Sequence, residues 1–477
     1  MSRAGDAISG EEQSSQQRHQ GRFHGSPPNC PNCTRLYPIF DSAGYRKPPT
    51  GQLLEFAGDF LFAPAQAPPG RDMISKQGDR TVEDAFSRRH LLKSALTAAS
   101  ASRILGANDR IGLGIIGTGD RGKYLMRIAN KVGGIRWVAV CDAWDRRRNE
   151  AAEVAGSPVA QDADHRRLLD RKEVDAVIVA TPDHLHAQIS IDACQAGKDI
   201  FVEKPMTSLP EQGPPLVRAV REHKRVLQVG VQQRSMKHFI EAKERFFTSG
   251  LIGEVNMVRT IWNGNRGYLT PVPPGMETKP EGLDWDACLG WLPKRPWDPK
   301  MYFNRFAYWD FSTGGQTGGL FVHMVDVVHW YLNLTRPLSA VALGGIYQYD
   351  DGRDTPDNIN VILDYPEKLN VTFEATITDL IREESADIVF MGTGGRLSIF
   401  RAGYRFLPAD KNSHLGILTS KGSPEEDHMA NWLEAIRSRK DPNANVVDGH
   451  YAAMACHIAN IAYKSQSRVT WRKEWDV

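Results

Sequence analysis

The sequence predicts an α/β chain with two architectures in series, and three observations carry that reading. Compact apolar runs alternate with amphipathic helical patterns from residue 109 to 231. The first of those runs ends in a glycine-rich turn, GIIGTGDRG. Beyond residue 232, strand patterns follow one another with few helices between them. Continuous apolar strands separated by helices indicate a parallel sheet covered on both faces, whereas strands without crossover helices indicate an open, mainly antiparallel sheet. The expected fold is therefore a doubly wound α/β domain, 109–231, followed by an α+β domain, 232–477.

In the first domain the expected strands are Ile111–Gly117, Ile135–Asp142, Val174–Pro182, Lys198–Pro205 and Arg225–Gly230. Helices fit between them at Gly122–Val132, Asp145–Val154, His184–Ala196 and Pro210–His223. In the second domain the helical pattern MKHFIEAKERFFTSG precedes strands in VNMVRTIW, INVILDY, LNVTFEATI and ADIVFMGTGGRLSIF. A Pro- and Trp-rich insertion, Tyr268–Phe311, reads as a long loop over a site. Two late helical patterns, EEDHMANWLEAIRSR and DGHYAAMACHIANIAYKSQ, are expected to pack on the outside.

Bulk composition narrows the function classes. The 477 residues carry a formal charge of +2, which gives no electrostatic case for a nucleic-acid partner. No run of eighteen apolar residues occurs, so no lasting transmembrane helix is expected. Cys141, Cys194, Cys288 and Cys456 sit singly in apolar segments, which suits buried thiols. Cys30 and Cys33 in CPNC resemble half of a zinc site or a redox pair, but no matching second pair follows, which favours an incidental pair.

Gly117, Gly119 and Gly122 have the G-x-G-x-x-G spacing, between a strand and a helix, with Asp142 at the end of the next strand. That context marks a Rossmann dinucleotide site. Gly117, Thr118, Gly119, Asp120, Arg121 and Gly122 form the turn under the pyrophosphate, and Asp142 would accept from the adenosine ribose hydroxyls. The carboxylate favours NAD, and Arg146, Arg147 and Arg148 keep NADP as an alternative. Glu203, Lys204 and Pro205 lie at the C-terminal end of a core strand, where such sheets bind ligands. A lysine beside a cofactor there can shuttle protons.

This fingerprint, followed by ATPDHLHAQ and then EKP, resembles the glucose–fructose oxidoreductase and inositol dehydrogenase (Gfo/Idh/MocA) superfamily from Arg110 to about Arg468. The resemblance implies a nicotinamide between the two domains, lined by Thr181, Pro182, His186 and Glu203, with Lys204 as the catalytic lysine. It also places Gln233 and Arg234 beside the site as the chain enters the second domain. The family's D-x-x-x-H element matches Thr313–Leu332, with His323 at the histidine position but Gly319 where aspartate is expected. Asp326 follows one turn later, at a family position of its own, and His329 one turn further. A structural helix, a metal pair and a polyol-facing site all fit that pattern; too few ligands share a face for a metal, so none is expected. The favoured reading has Lys204 and His323 handling a hydroxyl proton, with Asp326 beside the substrate. Trp262, Arg266, Arg305, Tyr308 and Trp309 could stack on and fix a sugar, or belong to a hydrophobic cover.

The expected activity is hydride transfer to or from a sugar, polyol or glycoside, in a homodimer or tetramer by family analogy. Two alternatives stand beside it: glycoside cleavage through transient oxidation and elimination, and a degenerate binding protein, for which Gly319 speaks.

Residues 1–80 are rich in Gln, Ser, Pro and Gly, the composition of a disordered extension, with one apolar island at Leu53–Ala63. Within 81–107, SRRHLLK (Ser87–Lys93) resembles a twin-arginine export motif, followed by a short apolar stretch and candidate cleavage sites at Ala99–Ala101 or Leu105–Ala107. This motif implies the twin-arginine machinery as a partner and a periplasmic or other extracytoplasmic location, with the cytoplasm as the alternative. Export of an already folded protein would favour a cofactor that stays bound. Signals of this kind sit near a start, and Met73 precedes Ser87 by fourteen residues. Translation from Met73 is therefore expected. Peptide mapping of the native protein should find no peptide from 1–72, and a single clear peptide there would sink the idea.

Overall fold

The computed structural model describes residues 110–264, 267–379, 387–410, 415–419 (backbone only) and 424–477. The expected extension, the export-like segment, Cys30, Cys33 and Arg266 lie outside the described residues.

The first domain holds six parallel strands, β1 (Ile111–Ile116), β2 (Ile135–Cys141), β3 (Ala160–Asp162), β4 (Ala176–Val179), β5 (Asp199–Val202) and β6 (Leu227–Val229), in the order β3-β2-β1-β4-β5-β6. This is the predicted doubly wound sheet. Strands β1, β4 and β5 are buried along their whole length, which is why they read as unbroken apolar runs. The short β3 escaped the sequence reading because AQD has no apolar run to mark it. Its helices are α1 (Asp120–Val132), α2 (Asp145–Ala155), α3 (His165–Leu169), α4 (His186–Gln195) and α5 (Gly213–Glu222). The strand order reverses between β1 and β4, so their C-terminal ends splay apart and leave a crevice for a ligand.

A 3-10 turn, Gln232–Ser235, leads into the second domain through α6 (Lys237–Ala242), which widens into a π turn at Lys243–Thr248. Among the described residues nine strands follow: β7 (Val255–Asn263), β8 (Ser339–Gly345), β9 (Asn358–Tyr365), β10 (Leu369–Thr376), β11 (Ile388–Gly392), β12 (Gly395–Phe400), β13 (Gly403–Pro408), β14 (Leu415–Thr419) and β15 (Val469–Thr470). Their order is β14-β13-β12-β11-β7-β10-β9-β8-β15, antiparallel except for the β7–β10 pair. Burial alternates along β9 and β10, so one face is covered and the other open.

The insertion is more structured than a long loop. It contains α7 (Trp285–Leu289) and α8 (Pro299–Phe303), capped by the Asp284 and Asp298 side chains. It also owns a small apolar core of Trp285, Leu289, Leu292, Tyr308 and Phe311. After it comes a π turn, Thr317–Phe321, running into α9 (Val322–Leu332).

Of the two late helices, the first packs on the outside as expected, with Ala430 and Glu434 exposed, and the second does not. The first, α10 (Pro424–Ser438), returns to the first domain and buries Met429, Trp432 and Leu433 in its core, with Trp432 edge-on to Phe201 at 5.6 Å. The second, α11 (Val446–Ser465), is buried between β8 and α9 on one side and α5 and β6 on the other. Its Ala452, Ala453, Ala455, Ala459 and Ala462 let neighbours approach from all round, so it lacks the polar stripe of a surface helix.

Both helices bring buried histidines. Burial lowers the His428 and His450 pKa values to about 4, and that of His184 beside the crevice falls to about 4 for the same reason. Each is neutral when folded, whereas an unfolded histidine takes a proton near pH 6.5. Their contribution is therefore complete above pH 6.5 and fades as the pH falls toward 4, by about 1 kcal/mol per pH unit for each histidine. Urea unfolding at pH 7 and pH 5 should show this loss; equal stability at the two values would contradict it.

Candidate active site

The crevice is built on the β1–α1 turn. Gly117 has φ +88°, and a Cβ there would lie 2.6 Å from the Ala180 carbonyl carbon and the Thr181 nitrogen. A Cβ on Gly122 would meet the Gly117 oxygen at 2.1 Å, so the turn and the helix close on each other only through glycine. Gly119 caps α1 with no side-chain hydrogen bond, and a Cβ there would have Arg147 Nη1 as its nearest neighbour, at 3.5 Å. The first N–H groups of α1 are thus turned to the crevice, a site for an anion.

Asp142 directly follows β2, where its Oδ2 accepts from the Thr118 N–H at 2.7 Å and its Oδ1 from the Trp144 N–H at 3.0 Å. The three following arginines divide their roles. Arg146 pairs with Glu150, Arg148 donates to the Asp142 carbonyl at 2.7 Å, and only Arg147 turns toward the glycine turn, stacked on Tyr302 at 4.9 Å. With two of the three engaged elsewhere, the carboxylate dominates the end of β2, which suits NAD.

Around this point lies a cavity of about 610 Å³, lined by Gly117, Asp142, Arg147, Thr181, Pro182, Leu185 and the insertion residues Asp284, Cys288, Trp291, Tyr302 and Arg305. It adjoins a second cavity of about 450 Å³ that shares Arg147, Tyr302 and Arg305 and extends past Asp120, Arg121, Phe306, Gln316 and Arg353. The Thr181 and Tyr302 hydroxyls and Gln316 Oε1 are buried on these walls without a hydrogen-bond partner, as expected of groups that serve a ligand. A dinucleotide fits this donor set: carboxylate at one end, open helix N–H groups and guanidinium in the middle, unpaired polar groups along the walls.

Glu203 is buried and accepts from Arg121 Nε at 2.7 Å and from the Lys204 N–H at 3.3 Å. Burial alone would raise its pKa, but the Arg121 and Lys204 charges outweigh it and hold the carboxylate ionised. His186 bridges the Pro205 and Thr181 carbonyls, 2.8 Å from each, and so ties the β4 loop to the β5 loop. Lys204 Nζ donates to the Gly319 carbonyl at 2.7 Å and lies 5.7 Å from the Phe306 ring centre. His323 is buried nearby; burial first and the Lys204 charge second keep its pKa well below 6.5, and its Nδ1 has no hydrogen-bond partner.

The structure therefore brings Lys204, Glu203, Arg121 and His323 together. It places the other sequence candidates differently. Arg234 and Asp326 are spent on each other, with Nε 2.8 Å from Oδ2 in a buried pair. Gln233 lines a separate cavity of about 170 Å³ with Lys237, His238 and Arg401. Trp262 lies under the Arg401 guanidinium on β7, and Trp309 is held by Asp354 and stacks on Tyr463. Tyr308 belongs to the insertion's own core. Of the sugar-stacking candidates, Arg305 reaches the cavities. Sequence reading missed Tyr302, Phe306 and Gln316, because a lone aromatic or amide in an irregular segment carries no spacing signal.

Phe306 explains the glycine at position 319. A Cβ on Gly319 would lie 2.2 Å from Phe306 Cε1, so the ring fills the space into which a side chain at 319 would project. Gly319→Ala is expected to cost about 1–3 kcal/mol by overpacking, and Phe306→Ala in the same chain should relieve it. Wild-type unfolding behaviour in the single variant would show instead that the ring moves aside freely.

Comparison with known proteins agrees with this geometry. Residues 111–231 match the Gfo/Idh/MocA family model, described as an oxidoreductase family with an NAD-binding Rossmann fold. The chain is 31% identical over 224 residues to an inositol 2-dehydrogenase of Salmonella paratyphi B, covering 47% of this chain and 53% of that protein. It is 33% identical over 154 residues to a 2,7-anhydro-N-acetylneuraminate hydratase of Mediterraneibacter gnavus, covering 32% and 40%. The chain thus spans about half the length of the curated relatives it matches. A levoglucosan dehydrogenase solved with NADH and levoglucosan superposes with a TM-score of 0.61 at 19% identity, over 76% of this chain and 99% of that one. The first domain is an NAD-binding Rossmann domain, and both domains share the fold of that dehydrogenase.

Proposed function

We propose that this chain is an NAD-dependent oxidoreductase that exchanges hydride with a CH–OH carbon of a sugar, polyol or glycoside. The observation that carries the reading is Lys204 donating to the Gly319 carbonyl, one turn before the buried His323, beside the NAD-binding crevice. The inositol dehydrogenase relative supports the substrate class.

NAD, when bound, supplies the hydride acceptor. Gly117–Gly122 and Asp142 would hold it, with Thr181 and Pro182 on its wall. Arg121 neutralises Glu203, and the Glu203 carboxylate fixes the Lys204 backbone, so the ammonium is aimed from a rigid strand end. As the substrate carbon gives up hydride, its hydroxyl proton must leave. His323 can take that proton on Nδ1 and return it in the reverse direction, while the Lys204 charge stabilises the developing oxyanion. Burial first and the Lys204 charge second keep the imidazole neutral, so its Nδ1 is free to accept a proton. Burial around His323 excludes water from that exchange.

A second reading has a specific observation behind it. The insertion docks across the NAD cavity, which suits a cofactor reduced and reoxidised within one cycle, and a hydratase stands among the relatives. Oxidation, elimination and return of hydride would then cleave a glycoside with no net NADH. Location outside the cytoplasm is part of this proposal and rests on the SRRHLLK motif. A homo-oligomer is also part of it, supported by Leu343 and Ile362, exposed on the open side of β8 and β9.

Purified protein should carry or bind NAD(H), identified by mass after denaturation, and should form NADH with a member of a polyol and sugar panel. Lys204→Met should lower kcat about 10²- to 10⁴-fold while NADH affinity stays within about threefold. Unaltered kcat would remove Lys204 from the chemistry, and protein unable to bind NAD would remove the proposal.

A further inference from the structure

The insertion does more than roof the crevice. Its segment Gly282–Trp291 is fastened to both lips. On the β2 side, Leu283 pairs with Trp144 in a β-bridge, and Asp284 N–H donates to the Ala143 carbonyl at 3.0 Å. On the β4 side, Trp291 Nε1 donates to the His184 carbonyl at 2.6 Å, and His184 Nε2 donates to the Cys288 carbonyl at 3.0 Å. Gly290 packs so closely on Leu185 that a Cβ would lie 2.4 Å from its Cδ2. The strap therefore forms one wall of the larger cavity from lip to lip.

Where the two cavities meet, three side chains await a ligand. Arg147 and Arg305 both line both cavities, and neither has an ion pair among the described residues. Between them, the Tyr302 hydroxyl is buried without a hydrogen-bond partner, close enough to feel both guanidinium charges. Two cations without ion pairs and a phenol donor, set beside the open N-terminus of α1, form an anion site for a doubly charged group. Part of it comes from each domain.

We propose that Arg147, Tyr302 and Arg305 clamp the pyrophosphate of the dinucleotide, and that the strap closed over it makes NAD a retained group rather than an exchanging cosubstrate. This rests on the NAD-binding reading of the same crevice. It assigns Arg305 to the cofactor instead of the substrate. Release then requires the strap to lift from both lips and two guanidinium contacts to break together.

The test is the rate at which bound NADH leaves the purified full chain, followed by its fluorescence during a chase with excess NAD. Wild type should release slowly, and Arg305→Ala should accelerate release about 10- to 100-fold, the loss of a charge-assisted contact. Trp291→Ala, which unfastens one lip, should accelerate it as well, whereas the neighbouring Arg146→Ala should leave it unchanged. Arg305→Lys and Tyr302→Phe, which disturb packing little, keep the test open should the alanine variants misfold. Equal release from wild type and all clamp and strap variants would overturn the clamp while leaving NAD binding intact. Acceleration by Arg146→Ala equal to that by Arg305→Ala would overturn it too, since general charge would then suffice. A chain that binds no NADH at all would overturn both this proposal and the reading beneath it.

Discussion

The Arg234–Asp326 pair is the constraint on which the arrangement of the two domains depends. Arg234 leaves the first domain just after β6, Asp326 sits on α9 of the second, and Asp448 at the start of α11 accepts a further contact from Arg234 Nη1 at 3.2 Å. Arg234 and Asp326 are almost wholly buried. Breaking such a pair from one side strands a charge in the interior and costs roughly 3–5 kcal/mol. Burial raises the Asp326 pKa while the Arg234 charge opposes it, so the carboxylate depends on its partner to stay ionised. The pair fixes α9, and α9 carries His323 one turn earlier on the same helix. The pair thereby sets the position of His323, the residue to which the proposal gives proton transfer.

A second chain of dependence runs through Glu203. Arg121 comes from α1, the helix that faces the pyrophosphate, and its salt bridge holds the carboxylate beside Lys204. The Lys204 ammonium reaches across to the second domain at the Gly319 carbonyl. Glycine turn, Lys204 and second domain are therefore mechanically linked. Gly319 is essential to that link in an unexpected way: without a side chain, it exposes its carbonyl to Lys204 and leaves room for Phe306 from the insertion. At the position of the missing aspartate an aromatic ring from another segment takes up the space.

The insertion also shows how one segment changes the character of a common fold. Most of it has no regular secondary structure, yet it is pinned at both lips and packed on its own aromatic core, with Trp285 stacked on Phe311 at 6.0 Å. A loop held this way is a wall, not a flexible lid. That wall gives a physical basis for cofactor retention independent of any argument about where the protein resides.

The sequence by itself determined the parallel sheet, the glycine turn and Asp142 at the strand end. These features are local: an apolar run, a backbone conformation that only glycine adopts easily, and a side chain at a strand end can each be read from a few neighbouring residues. It also supplied the antiparallel character of the second sheet, through strands that follow without crossover helices. Tertiary structure decided the rest. The burial of α11, the return of α10 to the first domain, the pairing of Arg234 with Asp326 and the fit of Phe306 onto Gly319 join residues far apart in the chain. Such pairs are chosen by packing volume and by the cost of leaving buried charge unpaired, neither of which is encoded in the spacing of nearby residues.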